Sequence, residues 1–183
     1  MESIELDQVM RRARRAYELG RARRALMGVA PVVFIVACAA CVTHRPVSTL
    51  WFGLAAVAVG GLMLWYGRDP QRAVLPGVLA GLVPLILAIG ANRIHVCGPH
   101  GCGTLCVPAC AIGGVVAGLA VAGVGQQRRA GAWFWLSASG LALLTGAMGC
   151  ACIGYSGVLG LLGGFLAGLV PALVRRALGR APR

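Results

Sequence analysis

Acidic residues and lysine are scarce in this chain of 183 residues. It contains five acids and no lysine, so all seventeen basic residues are arginines, and Asp69 is the one acid beyond residue 18. Ionisable side chains inside a membrane span are the usual mark of an ion or proton pathway. Their absence from the apolar segments argues against proton-coupled transport, and these segments contain no catalytic constellation. The sequence therefore predicts a protein without enzymatic activity.

Charged residues of both signs are few. They make up 12% of the chain, whereas 58% of the residues are hydrophobic and the mean hydropathy is +0.81. A chain of this length cannot bury so much apolar surface in a soluble core, so we expect an integral membrane protein. The formal charge of +12 lies on arginines between apolar runs, where arginines act as topology signals. We therefore expect no nucleic-acid partner.

We expect no cleavable signal peptide, because the first 25 residues are charged and amphipathic. We call residues 1–25 the leader and predict that it is a helix with one apolar arc. This helix either rests on anionic membrane lipid or docks a cytoplasmic protein. The arc consists of Leu6, Val9, Met10, Ala13, Ala16 and Tyr17.

Six apolar segments follow the leader. Each has roughly the 17 to 25 residues needed to cross about 30 Å of hydrocarbon. The sequence thus predicts a transmembrane domain over residues 26–174 and a basic tail over 175–183. The segments lie near residues 26–43, 50–66, 73–94, 104–125, 131–152 and 153–174.

The arginines predict the orientation of these segments. A cytoplasmic leader places fifteen arginines on the cytoplasmic side and leaves only Arg45 and Arg93 outside. This distribution obeys the positive-inside rule at every connection. We therefore expect an all-α integral membrane protein: a six-helix transmembrane bundle with a cytoplasmic amphipathic N-terminal helix and both termini in the cytoplasm.

The same topology gathers all eight cysteines and all three histidines at or near the outer face. They are densest in residues 95–110, HVCGPHGCGTLCVPAC. Cysteines that serve only as apolar filler should scatter over both halves of the bilayer, so the one-sided placement argues for a role. The eleven residues are Cys38, Cys41, His44, His95, Cys97, His100, Cys102, Cys106, Cys110, Cys150 and Cys152.

Three chemistries fit this set. Pairs such as Cys97 with Cys102 form disulfides that tie outer loops together in an oxidising compartment. Alternatively, thiols and imidazoles bind Zn²⁺ or Cu(I), since Cys38 and Cys41, like Cys106 and Cys110, are spaced to share a helix face. The third is reversible sensing of metal or oxidant. The candidate metal ligands are Cys38, Cys41, His95, His100, Cys106 and Cys110, and the candidate redox residues are Cys97, Cys102, Cys106, Cys110, Cys150 and Cys152.

Glycines at four-residue spacing predict closely packed helices. Gly160, Gly164 and Gly168 form one such series, and Gly77 and Gly81 form another. Residues 77–87 and 164–174 also match at seven positions in segments predicted to run in opposite directions. This match indicates either an inverted duplication of three plus three spans or a chance similarity in a chain rich in Gly, Ala and Leu.

Several of these features together resemble a known family. They are the basic leader with ARRAYELGRARRAL, six short spans, Cys106 and Pro108 at the entry to span four, and Cys150 and Cys152 before a glycine-rich span six. This pattern is similar to that of the six-helix membrane anti-sigma factors, which hold extracytoplasmic-function sigma factors at the bacterial inner membrane. The resemblance implies that residues 1–25 bind a sigma factor. It also implies that Cys106 or Cys110, with Cys150 or Cys152, form a sensing pair.

The leading hypothesis is therefore a membrane-bound regulator that sequesters a cytoplasmic sigma factor and senses metal or redox stress. The extra cysteines and the short leader, which has no His or Cys, depart from the pattern of this family. A small metal permease with a transfer path through Cys38, Cys41, Cys106 and Cys110 is the alternative. A structural membrane subunit with disulfide-tied loops is a third interpretation. No pattern in the sequence specifies an oligomeric state.

Overall fold

The computed structural model describes residues 2–42, 46–67, 69–93, 103–151 and 154–178, and nearly all of them are helical. No strand occurs among these residues. All six helices are long and apolar enough to span a membrane, which confirms the six predicted segments, with ends that differ by a few residues. The helices are α1 (Glu2–Val42), α2 (Pro46–Tyr66), α3 (Asp69–Arg93), α4 (Gly103–Gln127), α5 (Ala132–Cys150) and α6 (Tyr155–Leu178).

Glycines with positive φ stand where two of the helices meet short connections. Gly67 follows α2 with a φ of 66°, and its N–H donates to the carbonyl of Met63 at 3.2 Å. Gly154 precedes α6 with a φ of 93°, and its N–H donates to the carbonyl of Ala151 at 3.1 Å. Glycine adopts this left-handed conformation without strain. Gly67 therefore allows the chain to turn after α2, and Gly154 allows it to turn before α6.

The bundle contains two parallel helix pairs. In α3 and α5, Gly77 faces Ala138 and Gly81 faces Ala142, so residue numbers rise together along both helices. The helices α4 and α6 also run in parallel and pack over their whole lengths. Helix α5 is the most buried of the six, and it contacts every other helix. Helix α3 thus pairs with α5 and α4 pairs with α6, and α5 is the central helix of the bundle.

Closely approaching backbones explain the glycine spacing. A Cβ at Gly164 would overlap the carbonyl oxygen of Ala111, and one at Gly168 would overlap that of Val115. Gly114 on α4 meets the carbonyl of Leu161 in the same way. Small residues let membrane helices approach until backbone contacts backbone. The predicted packing role of these glycines is confirmed, and the matching stretches 77–87 and 164–174 both supply such glycine faces.

The two ends of the bundle differ in chemistry. Because α1 is antiparallel to α2, α2 to α5, and α3 to α4, the contacts place Cys38, Cys41, Cys106, Cys110 and Cys150 at one end, which we call the thiol end. The opposite end, the arginine end, carries Arg72, Arg128, Arg129, Arg175 and Arg176. The described thiols and these arginines therefore lie at opposite ends, and Arg93, the last residue of α3, is an arginine at the thiol end, as predicted.

The leader continues into the first span without a break in the helix. Helix α1 has 41 residues, and residue 25 lies within it. At the arginine end the Arg21 guanidinium lies 5.3 Å from the ring centroid of Trp65 in α2. A cation over an aromatic face is attracted to the ring electrons, which ties α1 to the end of α2. The leader thus extends from the arginine end as a continuation of α1.

Candidate thiol site

Three of the predicted site cysteines are buried at the thiol end. Cys106 and Cys110 lie on the same face near the start of α4, as their spacing predicts, and Cys150 is the last residue of α5. Cys110 and Cys150 are 0% exposed and Cys106 is 4% exposed. All three are thiols, and no disulfide is present among the described cysteines.

Cys110 and Cys150 contact each other. Both belong to one buried cluster at the interface between α4 and α5, and their side chains are close enough to interact. Cys106 lies one turn before Cys110, closer to the thiol end. Two adjacent thiols have two reactions open to them: oxidation to a disulfide, and binding of a soft metal as thiolates. We call Cys110 and Cys150 the thiol pair.

Apolar side chains from several helices surround the thiol pair. Ala88 of α3, Ala147 of α5 and Leu161 of α6 form one cluster with it, and Phe52 of α2 packs against this cluster. Five of the six helices thus converge here. Tightly packed interiors tolerate little change in volume, so any change in the sulfur-to-sulfur distance would be transmitted to the helices around it.

A buried hydroxyl links the neighbourhood of the thiol pair to α2. The Thr49 hydroxyl donates to the carbonyl of Met148 at 3.2 Å, and both residues are fully buried. Carbonyls in the last turn of a helix lack partners within the helix, and Thr49 donates to one of them, two residues before Cys150. Thr49 is not among the predicted site residues, although a hydroxyl near the start of an apolar segment is a recognisable feature.

Cys38 and Cys41 are at the thiol end but not in this cluster. Both are exposed on α1, a helix that packs mainly against α2. Across the described ranges, no three side chains of His, Cys, Asp or Glu come close enough to hold a metal ion. The described members of the predicted Zn²⁺ or Cu(I) set therefore form no group of three or more ligands.

The remaining predicted ligands and redox residues lie outside the described residues. Their roles stay predictions. They are His44, His95, Cys97, His100, Cys102 and Cys152.

The apolar arc of the leader is uncovered. Val9, Met10 and Tyr17 are 62%, 63% and 64% exposed, and Ala13 is also exposed. Leu6 lies within α1, but its side chain is outside the described part. On another face Arg14 and Glu18 form an exposed ion pair of 3.1 Å one helical turn apart. The arc is thus available to a partner of either kind, protein or lipid.

No model of a known family, no curated protein and no solved structure matches this chain. The resemblance to membrane anti-sigma factors therefore stays a prediction, and the function has to be argued from the chemistry of the two ends.

Proposed function

We propose that this protein is an anti-sigma-factor-like regulator in the bacterial inner membrane, with both termini in the cytoplasm. In this proposal the leader holds a cytoplasmic sigma factor, and thiols at the opposite face respond to metal or redox stress. The observation that carries the proposal is the contact between Cys110 and Cys150 at the end of the bundle opposite the leader. The pairing that the resemblance implies includes this pair.

The thiol pair has two chemically balanced responses. In oxidation, an S–S bond forms as the two thiols lose two protons and two electrons to an oxidant, either a disulfide or a hydroperoxide. In metal binding, Zn²⁺ or Cu(I) displaces the thiol protons and joins the sulfurs. Both responses replace a non-covalent contact between the two thiols with bonds that fix the distance between their sulfurs. A changed sulfur-to-sulfur distance favours a different distance between α4 and α5.

A continuous set of contacts connects the thiol pair to the leader. Cys150 lies two residues after Met148, whose carbonyl accepts the hydrogen bond from Thr49 in α2. One turn farther along α2, a Cβ at Gly53 would overlap the Val36 side chain of α1. Helix α1 runs unbroken from Val36 back into the leader. A shift of α5 would therefore move α2, and α2 would move α1 and the leader. Signalling also requires two helix arrangements that the thiol state favours differently.

Binding to the sigma factor is tested with the full-length protein in detergent micelles and purified extracytoplasmic-function sigma factors. We expect that Met10→Glu combined with Tyr17→Glu weakens binding about tenfold, because both change the apolar arc. Leu19→Glu is the matched control, since Leu19 is exposed on the leader but outside the arc. Equal loss in both variants would contradict the assigned face, and binding of vesicles alone would assign the leader to lipid.

The response is tested with a reporter gene under control of the sigma factor. Deletion of residues 2–25 is expected to raise reporter expression without a stimulus, because the sigma factor is no longer held. Cys110→Ser and Cys150→Ser are expected to abolish the response to oxidant or metal, whereas Cys38→Ser, at the same end but outside the pair, retains it. An unchanged response in the Cys110→Ser, Cys150→Ser and leader-deleted proteins would refute the proposal.

The alternative of a small metal permease has less support. Its path requires Cys38 and Cys41 to pass metal to Cys106 and Cys110, but the first two lie on α1 and outside the cluster of the thiol pair. All the described cysteines are also at one end. Metal uptake into proteoliposomes that disappears with these four cysteines would favour the permease.

A further inference from the structure

We propose that the arginine end contains a binding site for the phosphate group of an anionic phospholipid. A pocket of about 430 Å³ lies between the start of α3 and the connection from α4 to α5. Arg72 and Arg128 line it together with Ala130, Gly131 and Phe134. No described lining residue is acidic. The site thus combines two cations with an apolar wall.

The backbone of α3 explains why Arg128 points into this pocket. In a helix the carbonyl of Arg72 would accept from the N–H of residue 76, but that residue is Pro76, which has no N–H. The Arg128 guanidinium donates to this open carbonyl at 3.2 Å. A guanidinium has five N–H donors, so others remain for a ligand. Arg128 is therefore held in position without losing its charge.

Arg72 and Arg128 bring positive charge to the pocket, which attracts an anion. Within the described part of the chain, the structure gives the Arg72 guanidinium no ion pair. Guanidinium groups bind phosphate oxygens in planar, paired hydrogen bonds. Gly131 caps the start of α5 and supplies no side-chain hydrogen bond to its first turn. The N-terminal end of α5 carries the partial positive charge of the helix dipole, which adds to the attraction of the two arginines for an anion.

The position of the pocket favours a lipid over a free anion. The candidate span of α3 begins at Pro70 and that of α4 ends at Gln127, so Arg72 and Arg128 lie at the ends of these spans. Basic pockets between membrane helices at this depth bind anionic headgroups. A second groove, of about 810 Å³ and largely apolar, borders the starts of α3 and α5 at Pro70 and Trp133. A lipid phosphate at the arginines has apolar surface nearby for its acyl chains.

The test uses the full-length protein in detergent micelles and native mass spectrometry with added lipid. We expect phosphatidylglycerol to bind about tenfold more tightly than phosphatidylcholine, whose headgroup has no net charge. Arg72→Gln is expected to weaken phosphatidylglycerol binding about tenfold, because it removes charged hydrogen bonds to the phosphate. This variant keeps the backbone carbonyl that holds Arg128.

The matched control is the Arg23→Gln, Arg175→Gln double variant, which removes two exposed arginines near the same end but outside the pocket. It is expected to change binding less than twofold. Equal affinity of Arg72→Gln and the unmodified protein would overturn the site. Displacement of phosphatidylglycerol by an equimolar amount of inorganic phosphate would overturn the assignment to lipid and leave a free phosphate as the ligand. Thermal unfolding of each variant confirms that it is folded.

Discussion

Cys110 and Cys150 illustrate how burial controls thiol chemistry. Both side chains are fully buried and touch each other among alanine, leucine and phenylalanine side chains. Cys106 lies one turn closer to the start of α4 than Cys110, and it is 4% exposed. Thiol reactivity follows exposure and thiolate character, so in the proposed response we expect Cys106 to react before the thiol pair.

Oxidation with copper phenanthroline is predicted to link Cys110 to Cys150, because their side chains are already in contact. Peptide mapping by mass spectrometry detects the linked peptide. We expect the link to disappear in Cys110→Ser and to persist in Cys106→Ser, which changes a neighbouring thiol on the same helix face. A link from Cys150 to Cys106 that forms equally well in the unmodified protein would contradict the pairing.

Two buried threonines are predicted to differ in their effect on stability. Thr49 donates to the carbonyl of Met148, whereas the Thr145 hydroxyl is buried without a hydrogen-bond partner in the described residues. Thr49→Val should lower the free energy of unfolding by about 1–3 kcal/mol, because an acceptor is left open. Thr145→Val should leave it unchanged or raise it by about 1 kcal/mol, because an unpaired hydroxyl is removed.

Unfolding in a denaturing detergent, followed by circular dichroism, measures both threonine variants. The pair is informative because the two substitutions are chemically identical and both sites are fully buried. Equal destabilisation at the two positions would show that packing, and not the hydrogen bond to Met148, determines the effect.

Helices α4 and α6 are held together by backbone contact, with little side-chain material between them. Gly160, Gly164 and Gly168 of α6 face the carbonyls of Val107, Ala111 and Val115. Such an interface has no side chain that can rotate away from an added methyl group. The helix that carries Cys106 and Cys110 is therefore fixed relative to α6, and a rearrangement at the thiol pair is expected to move α5 against both.

Gly164→Ala is predicted to lower the free energy of unfolding by about 1–3 kcal/mol, because the new Cβ overlaps the Ala111 carbonyl and pushes the helices apart. Gly163→Ala is the control one residue away, where a Cβ meets nothing within 4 Å. It should cause no loss, since alanine favours a helix more than glycine does. Similar losses in the two variants, measured by unfolding in detergent, would rule out this interface.

Among the described residues, the thiols lie at one end of the molecule and the arginines other than Arg93 lie towards the opposite end. Arg176 adds to this arrangement, since its guanidinium lies 5.6 Å from the ring centroid of Trp135 in α5. If the protein is inserted as its arginines predict, the arginine end faces the cytoplasm. The proposed lipid site and the leader then share one membrane face, and the thiol pair lies near the other.

Labelling of cysteines with an impermeant maleimide tests this orientation. Cys41 is exposed next to the end of α1, so it should react in cells whose inner membrane is intact. An introduced Arg175→Cys should react only after permeabilisation, because it lies at the arginine end. Buried Cys110 should react only after denaturation and serves as the internal control. Labelling of Arg175→Cys and not of Cys41 in intact cells would reverse the predicted topology.

The six spans and the glycine faces were predictable because their causes are local. An apolar run of sufficient length has to be helical in hydrocarbon, since every backbone N–H and C=O must find a partner within the segment. Glycines four residues apart, such as Gly160 and Gly164, lie on one face of any helix. The separation of Cys106 and Cys110 from the arginines follows from alternating spans in the same way.

Contacts between distant residues were not predictable from these periodicities. Nothing in the spacing pairs Cys110 with Cys150, Thr49 with Met148, or Arg128 with the carbonyl of Arg72. The resemblance implied a sensing pair of Cys106 or Cys110 with Cys150 or Cys152. Placing Cys110 rather than Cys106 against Cys150 required the rotation of α4 against α5, and side-chain packing along the interface sets that rotation.

By itself the sequence determined a six-helix, strongly apolar chain with basic residues and thiols at opposite ends. These properties depend on composition and on order along the chain. Only the tertiary structure decided which thiols touch, that Cys38 and Cys41 stay apart from the thiol pair, and that two arginines share one pocket. The physical reason is that these choices depend on how closely the helices approach, and glycine allows that approach without specifying which helix will be the neighbour.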